Sequence, residues 1–119
     1  MELTYEDSPE GIRYIRLTGR MDVEGTHEVD LKFTSLSACQ KLFVLVDLSG
    51  VEFLSSLGLG TLVRSAKAQM SRTGMLALFS PTPAVARVLQ ATQVDQILQV
   101  FYDLGEARRA LAPGAVRAD

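Results

Sequence analysis

Two short unbroken apolar runs set the limits on this fold: Leu42-Phe43-Val44-Leu45-Val46, closed by Asp47, and Met75-Leu76-Ala77-Leu78-Phe79. Runs of this length have no polar face to turn toward water, so they read as strands covered on both sides. Such strands lie in parallel sheets and are joined by right-handed crossover helices. The chain supplies those helices. From Gly58 to Thr73, Leu59, Leu62, Val63, Ala66 and Met70 recur on one face, with Arg64, Lys67 and Arg72 outward and Gly74 in the C′ position. From Val23 to about Cys39 the apolar residues Val29, Phe33 and Leu36 mark a helix before the first run.

The flanks complete the pattern. Leu3 and Tyr5 alternate with polar residues, Asp7 to Gly11 is dense in turn formers, and Ile12 to Thr18 carries Ile15 and Leu17 on one face. These two strands form a hairpin. Thr82-Pro83 is an N-cap followed by a first-turn proline, opening a helix striped by Val85, Val88 and Leu89. Ile97 to Phe101 reads as a short strand. Asp103 with Glu106 makes a capping box for a last helix through Leu111, stopped by Pro113-Gly114. The expected class is α/β, ordered β-β-α-β-α-β-α-β-α, with a mixed, mostly parallel sheet. One domain is expected over residues 1–112, with a flexible tail over 113–119.

At 119 residues the chain is long enough to bury a core without metals or disulfides, and one Cys with one His fills no structural zinc site. A net charge of −2 argues against coating nucleic acid or anionic lipid. That small value averages two unlike parts, −5 over residues 1–30 and +3 over the remainder, so a basic partner surface suits the acidic end. No apolar stretch is long enough to cross a bilayer, and the N-terminal residues lack a basic region ahead of an apolar one. The expected setting is the cytoplasm.

Catalytic constellations are missing from the sequence. There is no P-loop, and Gly58-Leu59-Gly60 lacks the third glycine of a dinucleotide fingerprint. His27 has no nucleophile beside it and reads as a surface residue, and Cys39 as a small helical residue at the core edge. Asp47 ends a strand, but Asp22 is the one other carboxylate placed to approach it, which is too few for a metal site. The expected chemistry is therefore binding, not catalysis, with no cofactor and no metal. The segment that stands out is Asp47 to Gly60, read as a loop entering a helix with Ser55 and Ser56 just before it. A serine there either caps the helix or carries a phosphate that the helix end stabilises.

At this segment the sequence resembles the STAS family, the domain of bacterial anti-sigma factor antagonists and of sulfate-transporter tails. Asp47-Leu48-Ser49, Phe53 and Gly58-Leu59-Gly60 match the family pattern without a gap. Gly19-Arg20-Met21-Asp22 and Ser80-Pro81 through Ala84-Val85 to Arg87-Val88-Leu89 match two further family segments. The resemblance spans about residues 1–112. It implies a protein-binding regulator whose unmodified form binds an anti-sigma factor that is also a serine kinase. In the family, phosphorylation of a hydroxyl residue before the Gly-Leu-Gly weakens that partnership. Here the chain departs from the pattern. Leu57 stands at the usual phosphoacceptor position, Ser56 at the hydroxyl residue before it and Ser55 at the family's Asp. The switch is therefore absent or moved to Ser56, with Ser55 the other candidate.

The expected partner-binding residues are Asp22, Ser49, Phe53, Leu54, Ser55, Ser56, Leu57 and Gly58. Leu57 either lies exposed as an apolar contact or turns inward as a hydrophobic staple. Two alternatives stay open: an accessory or scaffold subunit of a lipid-transport or signalling complex, and a small nucleotide-binding domain using Asp22 and Asp47. A homodimer also stays open.

Overall fold

The computed structural model describes residues 1–112; the expected tail and its Pro113-Gly114 stop lie outside the described residues. The elements are β1 (Glu2–Asp7), β2 (Ile12–Met21), α1 (Val23–Ser37), β3 (Phe43–Leu54), α2 (Ser56–Ser71), β4 (Met75–Phe79), α3 (Pro83–Ala91), β5 (Val100–Phe101) and α4 (Leu104–Leu111). A 3₁₀ turn, Val94–Gln96, precedes β5. The five strands lie in sequence order in one sheet. β1 and β2 form the antiparallel hairpin, and every later pairing is parallel. The α/β class and the order read from the sequence both hold.

Alternation along the central strands divides the core in two. Ile15, Leu17, Val44, Val46, Leu76 and Leu78 face α1, α2 and α3, meeting Phe33, Leu62, Val85 and Leu89. Ile12, Leu45 and Ala77 face the other way, against Ala107 and Leu111 of α4. The apolar runs are thus covered on both faces, as their composition requires.

Several elements differ from expectation, each for a local reason. β3 does not end at Asp47 but continues to Leu54, so Asp47–Leu54 is strand and not loop. Its pairing with β2 shifts register twice, between Arg16 and Thr18 and between Gly19 and Arg20. Leu48, Val51 and Leu54 consequently bury at every third residue, which hides the period of two that marks a strand. β2 likewise runs on to Met21, helped by Gly19 at φ 118°.

In α2, Met70 points out at 62% exposure and Gln69 is buried in its place. The Gln69 amide oxygen accepts from Leu42 N–H at 2.8 Å, and its nitrogen donates to the Ser37 and Gln40 carbonyls at 2.7 and 2.8 Å. The left-handed C′ residue of α2 is Thr73 (φ 61°), with Gly74 one place further on. Gly74 N–H then bonds the Gln69 carbonyl at 2.8 Å, the long bond of a Schellman close. Cys39 lies beyond the end of α1 and is exposed, not at the core edge. The strand expected from Ile97 shrinks to Val100–Phe101, with Ile97 exposed and Leu98 filling the core.

Candidate functional site

β2 and β3 outrun the rest of the sheet. β4 pairs with β3 only as far as Asp47 opposite Phe79, whereas β2 and β3 stay paired through Met21 opposite Leu54. Beyond Thr18, where β1 also ends, they form a two-stranded arm, and both following helices begin at its tip. Asp22 caps α1, its carboxylate accepting from Gly25 N–H at 2.8 Å. Ser55 caps α2, its hydroxyl accepting from Gly58 N–H at 3.2 Å. The Ser55 N–H and hydroxyl both donate to the Met21 carbonyl, at 2.9 and 2.7 Å, and fasten one helix start to the other.

This junction decides which residues meet solvent. Gly58 is buried, and a Cβ there would stand 2.6 Å from Met21 Cγ and 3.1 Å from Leu54 Cδ1. Only glycine lets α2 begin this close to the arm. Leu54 points into the main core at 4% exposure. Leu54 and Gly58, expected among the partner-binding residues, therefore shape the site from beneath and offer no surface to a partner. Ser49 lies back along β3, its N–H donating to the Asp47 carboxylate at 2.9 Å. At strand rise it is roughly 20 Å of chain from Ser55.

What remains on the surface is a small patch. Ser56 is exposed in the first turn of α2. Leu57 keeps 37% and Phe53 40% of their surface, so Leu57 is a surface residue and not an inward staple. Arg20, opposite Phe53 in the strand register, holds its guanidinium 4.7 Å above the Phe53 ring. Its Nε lies 3.8 Å from an Asp22 carboxylate oxygen. The cation–π contact, about 0.5–1 kcal/mol at such exposure, keeps the ring edge presented. Sequence reading missed Arg20. Its pairing with Phe53 exists only because β3 continues past Asp47.

The two carboxylates considered for nucleotide or metal chemistry sit in different surroundings. Asp22 is the α1 cap, whereas Asp47 lines a cleft of about 690 Å³ on the α4 face with Tyr14, Arg16, Phe79 and Arg108. Among the described residues no three His, Cys, Asp or Glu side chains gather to hold a metal, and His27 is exposed on α1. Among the described residues no helix is long and apolar enough to cross a membrane.

Comparison with known proteins gives one consistent family. The STAS domain model matches residues 7–107. A Thermotoga maritima protein, named as a candidate anti-sigma factor antagonist, is 39% identical over 67 residues, which are 56% of this chain and 58% of that protein. The chain thus matches little more than half the length of this curated relative. An anti-sigma-factor antagonist (STAS) domain protein of Planctomyces limnophilus superposes with a TM-score of 0.80 at 26% identity, over 93% of this chain and 98% of that one. An anti-sigma factor antagonist of Mycobacterium paratuberculosis shares the fold with a TM-score of 0.79 at 23% identity, over 94% of each chain. With the family model spanning most of the sequence, and with the fold and helix starts arranged as described, the chain belongs to the STAS domain family.

Proposed function

We propose that the chain is a protein-binding regulator of the anti-sigma factor antagonist kind, and that it engages an anti-sigma factor with serine-kinase activity through the tip of the β2–β3 arm. The observation that carries this reading is the division of labour between neighbouring serines. The Ser55 hydroxyl is engaged in both directions by the helix junction, while Ser56 stands exposed in the first turn of α2, in a stretch where Phe53 and Leu57 are exposed too. Leu57 and Phe53 supply desolvated contact to a partner, and Arg20 with Asp22 supplies a polar rim. The names of the relatives support the class of partner, and the acidic balance of residues 1–30 suits a basic surface on it.

Ser56 is the hydroxyl that a kinase adapted to this position reaches. A phosphate in the first turn of α2 is favoured by the exposed N–H groups and the helix dipole, so the modified chain stays folded. The charge then acts on the partner, whose apolar contact with Leu57 would have to desolvate it. The chain acts by association alone, in the cytoplasm where sigma factors work. The test is to purify the chain's complex, identify the anti-sigma factor, and titrate that protein calorimetrically. Ser56→Asp weakens the complex by about tenfold or more, the effect of roughly 1.4 kcal/mol of charge burial. Ser55→Ala, compared at equal folded fraction, leaves it within about threefold. Wild-type affinity in Ser56→Asp would refute the role of Ser56.

A further inference from the structure

β1 is an edge strand, and the phase of its ladder shows which of its backbone groups are spare. It pairs with β2 from Glu2 opposite Thr18 to Asp7 opposite Arg13, without a shift. One step further on, Ser8 N–H donates to the Ile12 carbonyl at 2.9 Å, so Ser8 bonds toward β2. In an antiparallel ladder such inward residues alternate with outward ones. Glu6, Thr4 and Glu2 therefore bond to β2 as well, while the N–H and C=O groups of Asp7, Tyr5 and Leu3 point away from the sheet. Among the described residues no strand lies beyond β1, and all of its residues except Leu3 are exposed.

Sheets close such edges with very short strands, bulges, prolines or lysines. The opposite edge follows that rule, since β5 has two residues. β1 has six, with no proline and no lysine among them. What guards it is charge of a single sign. Glu2 and Glu6 share one face with Thr4, and neither has a cation within ion-pair distance among the described residues. The other face carries Leu3, packed against the main core, and Tyr5, 48% exposed, while Asp7 is already taken by Arg13.

This pattern selects the occupant. An incoming strand sets its side chains level with those of β1, face by face. Cations suit the places beside Glu2 and Glu6, and apolar side chains extend the row of Leu3 and Tyr5. A second copy of the chain does not fit: antiparallel pairing of two β1 strands gathers the four carboxylates of Glu2 and Glu6 on one face, where like charges repel.

We propose that the outer edge of β1 takes an extended basic segment of a partner protein as a sixth strand, antiparallel to β1. That segment carries lysine or arginine beside Glu2 and Glu6 and apolar residues beside Leu3 and Tyr5. Main-chain bonds to Leu3 and Tyr5 supply the affinity, and the alternating side chains supply the selection. The inference is separate from the arm-tip reading, because it does not involve Phe53, Ser56 or Leu57.

The test is an NMR titration of the full chain with the capped peptide Lys-Val-Thr-Val-Lys, whose lysines fall beside Glu2 and Glu6 and whose valines fall beside Leu3 and Tyr5. The Leu3 and Tyr5 amides, which exchange freely in the chain alone, shift and become protected. Methylating both valine nitrogens, which face β1, weakens binding by about tenfold or more, whereas methylating the threonine nitrogen, which faces away, leaves it within about threefold. Glu2→Lys combined with Glu6→Lys keeps the melting temperature, since both side chains are exposed. That variant loses the lysine peptide by about tenfold or more and takes Glu-Val-Thr-Val-Glu in its place. Leu57→Asp binds the lysine peptide as the wild type does. Unshifted Leu3 and Tyr5 amides overturn the inference, as do equal binding of the valine-methylated peptide and a charge reversal that does not exchange the two peptides. Shifts of the same amides on concentrating the chain alone show self-pairing and overturn the choice of occupant.

Discussion

Replacing Ser55 and Ser56 in turn by alanine separates a structural serine from a surface one. Ser55→Ala removes the hydroxyl that accepts from Gly58 N–H at 3.2 Å and donates to the Met21 carbonyl at 2.7 Å. Loss of an N-cap oxygen costs about 1 kcal/mol. Loss of the second bond adds about 0.5–1 kcal/mol; the Met21 carbonyl keeps the Ser55 N–H at 2.9 Å, so it is not left bare. The sum is about 1.5–2 kcal/mol. At the usual unfolding entropy per residue this lowers the melting temperature by about 7 °C. In urea it lowers the midpoint by about 1 M without changing the slope. Ser56→Ala touches no such junction and should stay within about 0.5 kcal/mol of wild type. Ser55→Asp falls between them, because a carboxylate can cap Gly58 but cannot donate to Met21. The assay is paired urea and thermal unfolding of the three variants. A Ser56→Ala change as large as that of Ser55→Ala would refute the assignment of the cap.

Two further changes test other parts of the fold. Gln69→Leu keeps the volume of the buried side chain but orphans Leu42 N–H and the Ser37 and Gln40 carbonyls. It should cost about 3 kcal/mol in urea unfolding, and a loss under about 1 kcal/mol would mean that the latch is not structural. The Asp7 carboxyl is held below its ordinary range, chiefly by the hydrogen bond from Arg13 at 2.7 Å. A depressed folded-state value means that its stabilisation is present above about pH 4 and is lost as pH falls through the folded value. The pair is exposed, so the gain is below about 1 kcal/mol. Wild type should lead Asp7→Asn in melting temperature at pH 7, with the gap closing toward pH 2. A gap that does not change with pH would count against the pair.

Much of the fold was legible because its signals are local. The two unbroken runs demand cover on both faces, and Thr82-Pro83 and Asp103 announce helix starts by cap chemistry alone. What escaped was set by pairing across strands. The shifts at Arg16/Thr18 and Gly19/Arg20 are properties of two strands together. No window of one strand shows that Leu48, Val51 and Leu54 bury in succession. The candidate site was read from a motif, which names a stretch of chain without its orientation. Gly58 matches it because α2 must start tightly against Met21, whereas Leu57, where the chain departs from it, lies on the surface with Ser56. A glutamine at an inward helical position was likewise unreadable. Its partners are backbone groups at Ser37, Gln40 and Leu42, brought to it only once α1 and α2 pack.

The leucine at position 57 sets the sharpest limit on the partner. In the family pattern the phosphorylated hydroxyl occupies that position; here the next hydroxyl lies one residue earlier, at Ser56. One residue along a helix is a rotation of about 100° and a rise of about 1.5 Å. A kinase whose catalytic groups are placed for a hydroxyl at position 57 finds a methyl-bearing side chain there, and Ser56 turned well away from the transfer line. Phosphoryl transfer depends on in-line placement, and a misplacement of about 1 Å already costs about 100-fold, so this displacement is prohibitive without a reshaped kinase. Anti-sigma kinases that act on conventional antagonists should therefore fail to phosphorylate this chain, while Leu57→Ser should make it a substrate modified at position 57. Leu57→Ser should also lose affinity even before modification, since it removes part of the apolar patch shared with Phe53. The readout is mass spectrometry of the reacted chain. Efficient modification of the wild type at Ser56 by such a kinase would show that the geometry at the start of α2 does not govern recognition.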